Sequence, residues 1–202
     1  MIFILLILIL FFTEFHSFFR KPIMKKKYVY LLLAAILSSG SAVADDGYFD
    51  VIYSPEMGDM TSGVGFGLYQ LKSEGVGGYF NGIIPLKPSN YSAGNYCWYS
   101  CTELETKRAA YVGNIGLTFP LMPSGFETRG YKSIHAYMGI GLAEVNGLVK
   151  YSDGTWTDKT ENDKSGFNAN GGIIVAFDPL SINVGVNSMT KGVYVGLGFK
   201  TK

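Results

Sequence analysis

SINVGVNSMTKGVYVGLGFKTK, residues 181–202, alternates large apolar residues with Asn, Ser and Gly over two strand lengths. Leu180, Ile182, Val184 and Val186 share one face, and Ser181, Asn183, Gly185 and Asn187 share the other. A second run sets Val193, Val195, Leu197 and Phe199 against Tyr194, Gly196 and Gly198. A period of two places a strand between two different environments. Alternation alone leaves open which face looks inward.

Working outward, the same pattern sets Phe167, Ala169, Ile173, Val175 and Phe177 against Asn168, Asn170 and Gly172. Val64, Phe66 and Leu68 oppose Gly63, Gly65, Gly67 and Tyr69. Ile134, Ala136, Met138, Ile140 and Leu142 oppose Ser133, His135, Tyr137, Gly139 and Gly141. Strands are expected over 47–54, 62–71, 76–86, 109–119, 133–143, 166–177, 179–189 and 192–199. No helical period emerges, and frequent Gly and β-branched residues disfavour long helices.

The charges choose between the faces. Across those eight segments Asp50 is the only charged side chain. A soluble sheet has a water-facing side that normally carries Lys and Glu. Here the polar side is Asn, Ser, Tyr, His and Gly, which suits a confined interior, and the other side is apolar throughout. Charge is costly on a lipid face at mid-depth, and only a closed sheet leaves no unpaired edge in hydrocarbon. The pattern predicts an all-β fold, an eight-stranded antiparallel up-and-down transmembrane β-barrel, with its interior closed or nearly closed by side chains. The stretch 141–151 changes face near Ala143. A bulge in a tall strand would explain it, and so would a hairpin turn at Asn146-Gly147, which would make ten strands.

The connections sort by length. KSEG (72–75) and DPL (178–180) are tight, whereas 87–108 and 152–165 are longer and polar, as expected of periplasmic and extracellular ends. The exception is 120–131, long for a periplasmic turn. Phe49, Phe119, Phe177 and Phe199 would form part of a girdle at the periplasmic ends of their strands.

The leader supports export. From Met24, three lysines, an apolar run and Ala42-Val43-Ala44 form a signal peptide (24–44), predicting cleavage after Ala44. Residues 1–23 read as a mis-assigned upstream start or an extra hydrophobic leader, and the apolar run Ile2–Phe12 is short for a spanning helix. Residues 45–202 then form the barrel, with 12 basic and 15 acidic side chains. So even a balance makes no case for nucleic acid. An oxidising compartment makes a Cys97–Cys101 disulfide the first reading of YCWYSC.

The chain resembles the small bacterial outer-membrane β-barrel family, of the OmpA/OmpX-like and opacity-antigen-like porin-family type. The residues that carry the resemblance are AYMGIGLA (136–143), GFNANGGIIVAFDPLSINVGVN (166–187) and GVYVGLGF (192–199). It is good over 131–202 and thin over 45–130. It implies an antiparallel barrel in the outer membrane of a Gram-negative bacterium. The implied partners are outer-membrane lipid, lipopolysaccharide and the barrel assembly machinery. One departure is that members end on an aromatic residue, whereas Lys200, Thr201 and Lys202 follow Phe199 here.

Asp50, Asn81, Asn114, His135, Tyr137, Asn168, Asn170, Asn183 and Tyr194 are expected to form a polar network in the lumen. Tyr91, Tyr96, Trp98, Tyr99 and Trp156 are candidates for recognising an extracellular surface or glycan, or else rings of the outer interfacial belt. No catalytic set, metal or cofactor is expected, and a monomer is. Ser133 and His135 share a strand face, which keeps a lipid A acyl hydrolase-like enzyme as one rival. A second rival, a soluble periplasmic barrel binding an apolar ligand, would place Val184 and Val195 inside and Asn183 and Tyr194 outside.

Overall fold

The computed structural model describes residues 46–93, 101–122 and 133–201. Among the described residues nine strands follow one another: β1 (Asp46–Ser54), β2 (Gly63–Leu71), β3 (Gly77–Pro85), β4 (Glu103–Pro120), β5 (Ser133–Tyr151), β6 (Trp156–Asp158), β7 (Lys164–Ala176), β8 (Leu180–Asn187) and β9 (Gly192–Lys200). Each barrel strand pairs antiparallel with its neighbour, and β9 pairs back onto β1 through Phe49↔Phe199 and Val51↔Leu197. The sheet therefore closes on eight strands, with β6 added outside the ring on β5. This is the fold that the outer-membrane resemblance implied.

The opening hairpin has the polarity inferred from the missing charges. Val184 and Val195, paired across β8 and β9, are 46% and 44% exposed on the outside, whereas Asn183 and Tyr194 are fully buried inside. The soluble-barrel rival required the reverse and is excluded. Outward residues of β5 from Ile134 to Leu142 are all uncharged. Nine residues at ~3.3 Å each, tilted by about 40°, give an apolar belt ~23 Å tall, close to the ~25 Å of a membrane barrel. Charges flank it: Asp46, Asp178 and Lys200 at the rim that holds both barrel ends, and Glu56, Asp59, Lys107 and Arg108 at the far rim. Phe49, Phe66 and Phe80 form a contiguous aromatic run on the outer face.

Lys200 and Thr201, which follow Phe199, are integrated into the rim. Lys200 is the last residue of β9, its Nζ lies 2.5 Å from Asp46 Oδ1, and the Thr201 amide donates to the Gly47 carbonyl at 2.7 Å. The near-rim end of the β1–β9 seam is thus tied by these residues.

Two expectations change. β4 begins at Glu103 and β5 runs on to Tyr151, so the last six residues of the loop expected over 87–108 are strand. Asn146-Gly147 is no hairpin, because β5 pairs with β4 straight through it (Ala109↔Asn146, Arg108↔Gly147), which settles eight barrel strands rather than ten. Glycine is needed at 147 for another reason: the Lys159 carbonyl and Asn162 lie where a Cβ would stand.

Candidate functional site

Two places concentrate polar chemistry: the lumen and the far rim. The lumen positions belong to the inward period of their strands. Small residues there make room for large ones, since Gly67 admits the ring of Tyr69, and Gly172 and Gly185 admit that of Tyr137. Four tyrosines meet at the centre, with ring centroids 5.0 Å apart for Tyr79–Tyr137, 5.4 Å for Tyr69–Tyr79 and 5.5 Å for Tyr69–Tyr137. Tyr194 joins through its hydroxyl, 2.9 Å from that of Tyr137.

Hydrogen bonds order this cluster. The Tyr194 hydroxyl accepts from the amides of Asn81 (3.2 Å) and Asn170 (3.1 Å). Tyr137 donates to Asn183 Oδ1 and Tyr79 to Asn170 Oδ1, each at 2.7 Å. The Tyr69 hydroxyl accepts from Asn183 (2.7 Å) and Asn81 (3.1 Å). A second tier continues toward the far rim, where the Asn114 amide reaches Asn81 Oδ1 at 2.8 Å and the Asn168 amide reaches Asn114 Oδ1 at 2.7 Å. Both amides also converge on Asn187 Oδ1, at 3.2 and 2.9 Å. A buried amide left unpaired costs about 1–3 kcal/mol, so mutual pairing is what makes a lumen full of asparagine stable.

All nine residues expected in the lumen are buried there, but they do not form one network. Asp50 accepts from the Ser181 hydroxyl at 2.9 Å, its carboxylate lying where a Cβ on Gly198 would stand. His135 Nε2 lies 2.9 Å from the Lys72 carbonyl, so His135 and Asp50 serve different strands. Nor does His135 act on Ser133: Nε2 is taken, and Nδ1 has no partner. The expected network left out Tyr79 and Thr118, and also Tyr69 and Ser181, although the alternation had already put those two on the polar faces of their strands. Each lies on the inward period of its strand beside a Gly or Asn, which was the available signal.

The interior is also less polar than expected. Toward the far mouth it is lined by Ile52, Ile83, Ala110 and Val112 with Met60, and toward the near end by Leu71, Ile174 and Ala176. Ile52, out of place in a polar lumen, belongs to that apolar layer.

At the far rim β4 and β5 outrun their neighbours. β3 stops pairing at Ile83↔Val112, yet β4 and β5 stay paired as far as Glu103↔Tyr151. Nine further residues of β4, 103–111, carry this ledge about 30 Å along the strand. β6 broadens it, and the Tyr91 segment lies parallel to Trp156, with backbone bonds Trp156 to Asn90 (3.0 Å) and Ser92 to Trp156 (2.8 Å). Ala109, Leu148 and Trp156 form a small core of its own, with Tyr91 packed against it.

That packing corrects the reading of Trp156 as a surface ring: it is only 5% exposed. Tyr91 is half-buried and donates to Asp158 Oδ2 at 2.6 Å, and desolvation together with that carboxylate pushes its phenol above the ordinary range. Lys87 stands 3.5 Å above the Tyr91 ring, and Lys107 and Lys150 lie 5.6 and 5.9 Å from the Trp156 ring. Lys159 Nζ meets Glu103 at 2.6 Å. Tyr96, Trp98, Tyr99 and Cys97 lie outside the described residues, as do 123–132 of the expected long turn. Among the described residues no cluster of three or more His, Cys, Asp or Glu could hold a metal.

No protein-family model matches the chain, and no curated protein matches it. In structure it is similar to the N-terminal β-barrel domain of Pseudomonas aeruginosa OprF, at TM-score 0.45 and 12% identity, covering 78% of this chain and 98% of that one. It is also similar to Ail, the attachment invasion locus protein of Yersinia pestis, solved with the heparin analogue sucrose octasulfate. There the TM-score is 0.38 and the identity 14%, over 77% of this chain and 95% of Ail. Neisserial surface protein A follows at TM-score 0.29 and 11% identity, over 77% and 92% of the two chains.

Proposed function

We propose that the chain is an integral outer-membrane barrel of a Gram-negative bacterium. On this reading it is sealed to solutes and holds a rigid ledge above the cell surface for recognition of an external surface or glycan. The observation that carries the membrane assignment is the uncharged outward belt around an interior of paired asparagines and tyrosines. Water would not favour that belt, whereas hydrocarbon does. The filled lumen supports a platform rather than a pore, as eight strands enclose space that side chains nearly fill.

The ledge supports the recognition role. It is built on paired strands with its own core, so it can hold a binding surface in fixed geometry outside the membrane. A Cys97–Cys101 bond would stiffen the adjoining loop. Partners on this reading are membrane lipid and lipopolysaccharide around the belt, the assembly machinery during insertion, and a glycan or protein beyond the rim. Lipid hydrolysis has no comparable support, because the Ser133–His135 pair is not joined.

Membrane fractionation tests the assignment. The protein should sediment with outer membrane and change gel mobility on boiling; recovery in the soluble periplasmic fraction would refute it. The recognition role is tested by adhesion of cells that display the wild type or a form with residues 152–155 replaced by Gly-Ser. Equal adhesion of the two, at equal surface level, removes it.

A further inference from the structure

The β1–β2 connection, residues 55–62, looks in sequence like an ordinary turn, PEMGDMTS. In the structure it lies across the far mouth of the barrel. On one side the Val193 amide of β9 donates to Met57 Sδ at 3.4 Å. On the other, Thr61 donates to the Arg108 carbonyl at 2.8 Å, and the Arg108 amide donates to the Asp59 carbonyl at 2.7 Å. Met60 and Thr61 are buried beneath this crossing.

Beneath it is a cavity of about 20 Å³, lined by Ser54, Thr61, Asn187 and Thr190 among apolar neighbours that include Ile83 and Val112. That is room for one water molecule. The Thr61 hydroxyl is buried there without a hydrogen-bond partner. The floor is Asn187, whose Oδ1 is held by Asn114 and Asn168, the upper tier of the lumen network. The space is therefore open to a solute only from above.

Side-chain charges hold the crossing down. Arg108 grips Asp59 through Nε (2.5 Å) and Nη2 (2.7 Å), and Lys107 meets Glu56 at 2.7 Å. The carboxylates and Arg108 are about half exposed, so each pair holds only weakly against water and salt. By contrast, the backbone bonds fix where the segment lands when it closes.

We propose that residues 55–62 form a lid over a dead-end polar vestibule at the far mouth, latched by Asp59–Arg108 and Glu56–Lys107. Closed, the vestibule accommodates a single water; open, it admits a small uncharged solute with hydrogen-bonding groups, without making a pore. The proposal rests on the sealed-barrel reading. That reading is judged separately, by membrane fractionation and heat-shifted mobility.

The test uses the full barrel reconstituted in phospholipid vesicles, with Thr61→Cys as a reporter. A small thiol-reactive probe is added to this variant and to the same variant carrying Glu56→Gln and Asp59→Asn. A barrel without Thr61→Cys supplies the background from Cys97 and Cys101, and Ser152→Cys supplies the rate of an open site. Removing two exposed ion pairs should raise labelling at position 61 by about two- to thirty-fold. High salt should raise it in the latched form alone, and planar-bilayer conductance should stay at baseline in both. Equal labelling with and without the latch overturns the lid. Conductance in the unlatched form overturns the dead end.

Discussion

A lysine moved along the outer face of β8 gives a depth gauge for the membrane assignment. Leu180, Ile182, Val184 and Val186 all point outward, and Val184 is flanked by Ile173 on β7 and Val195 on β9. Successive outward positions differ by two residues, ~6.6 Å along the strand and about 5 Å along the membrane normal at a tilt near 40°. The series therefore samples about 15 Å of depth, starting beside Pro179 at the near rim. A lysine at mid-depth costs about 2–4 kcal/mol and near an interface about 0–1 kcal/mol. Leu180→Lys should be nearly neutral, Val184→Lys should lose roughly 2–4 kcal/mol, and Val186→Lys should recover part of that as it approaches the far rim. The assay is reversible urea unfolding in phospholipid bilayers, with the folded fraction read from gel mobility without boiling. A flat profile, or Val184→Lys no worse than Leu180→Lys, would refute the reasoning. Lysine on a water-facing strand surface should show no dependence on depth.

Tyr194→Phe removes a hydroxyl that takes two amide donors and contacts Tyr137; it should cost about 1–3 kcal/mol in the same assay while membrane localisation is unchanged. Gly198→Ala should block folding because its Cβ would stand where the Asp50 carboxylate and Ser181 hydroxyl lie, and adding Asp50→Ala with Ser181→Ala should restore the boiling-dependent shift; failure of rescue would show that the steric reading is wrong. At the far rim the Arg108 guanidinium, with Lys191 adding a smaller attraction, holds the Asp59 carboxyl below its ordinary value. A depressed carboxyl lends its contribution at neutral pH and loses it as pH falls through the folded-state value, so protease cutting within 55–62 should rise below the usual carboxylate range, and the rise should be smaller in Asp59→Asn.

How much was legible in the sequence follows from how many environments each residue meets. For β8 and β9 there are two, lipid and lumen, and the alternation of Ile182, Val184 and Val186 with Asn183 and Asn187 records both. The absence of charge then chose between them, because a charge on the outer face is penalised wherever along the chain it occurs. Strand number, closure and the inward set from Asp50 to Tyr194 were readable for that reason. On the ledge the rule fails. Leu148 and Val149 are adjacent and both buried, Leu148 in the small core with Ala109 and Trp156. No period of two can express that. Trp156 sits in a polar run, SDGTWTDK, and reads as exposed until β6 folds back onto β5.

What the sequence by itself determined is the side of the wall on which each residue stands, because that depends only on a local period and the solvent beyond it. Only the tertiary structure decided the pairings across the lumen. Asn81 meets Tyr194, Asp50 meets Ser181 rather than His135, and residues 55–62 reach β4, because ring closure and strand stagger bring together positions 50 to 130 residues apart.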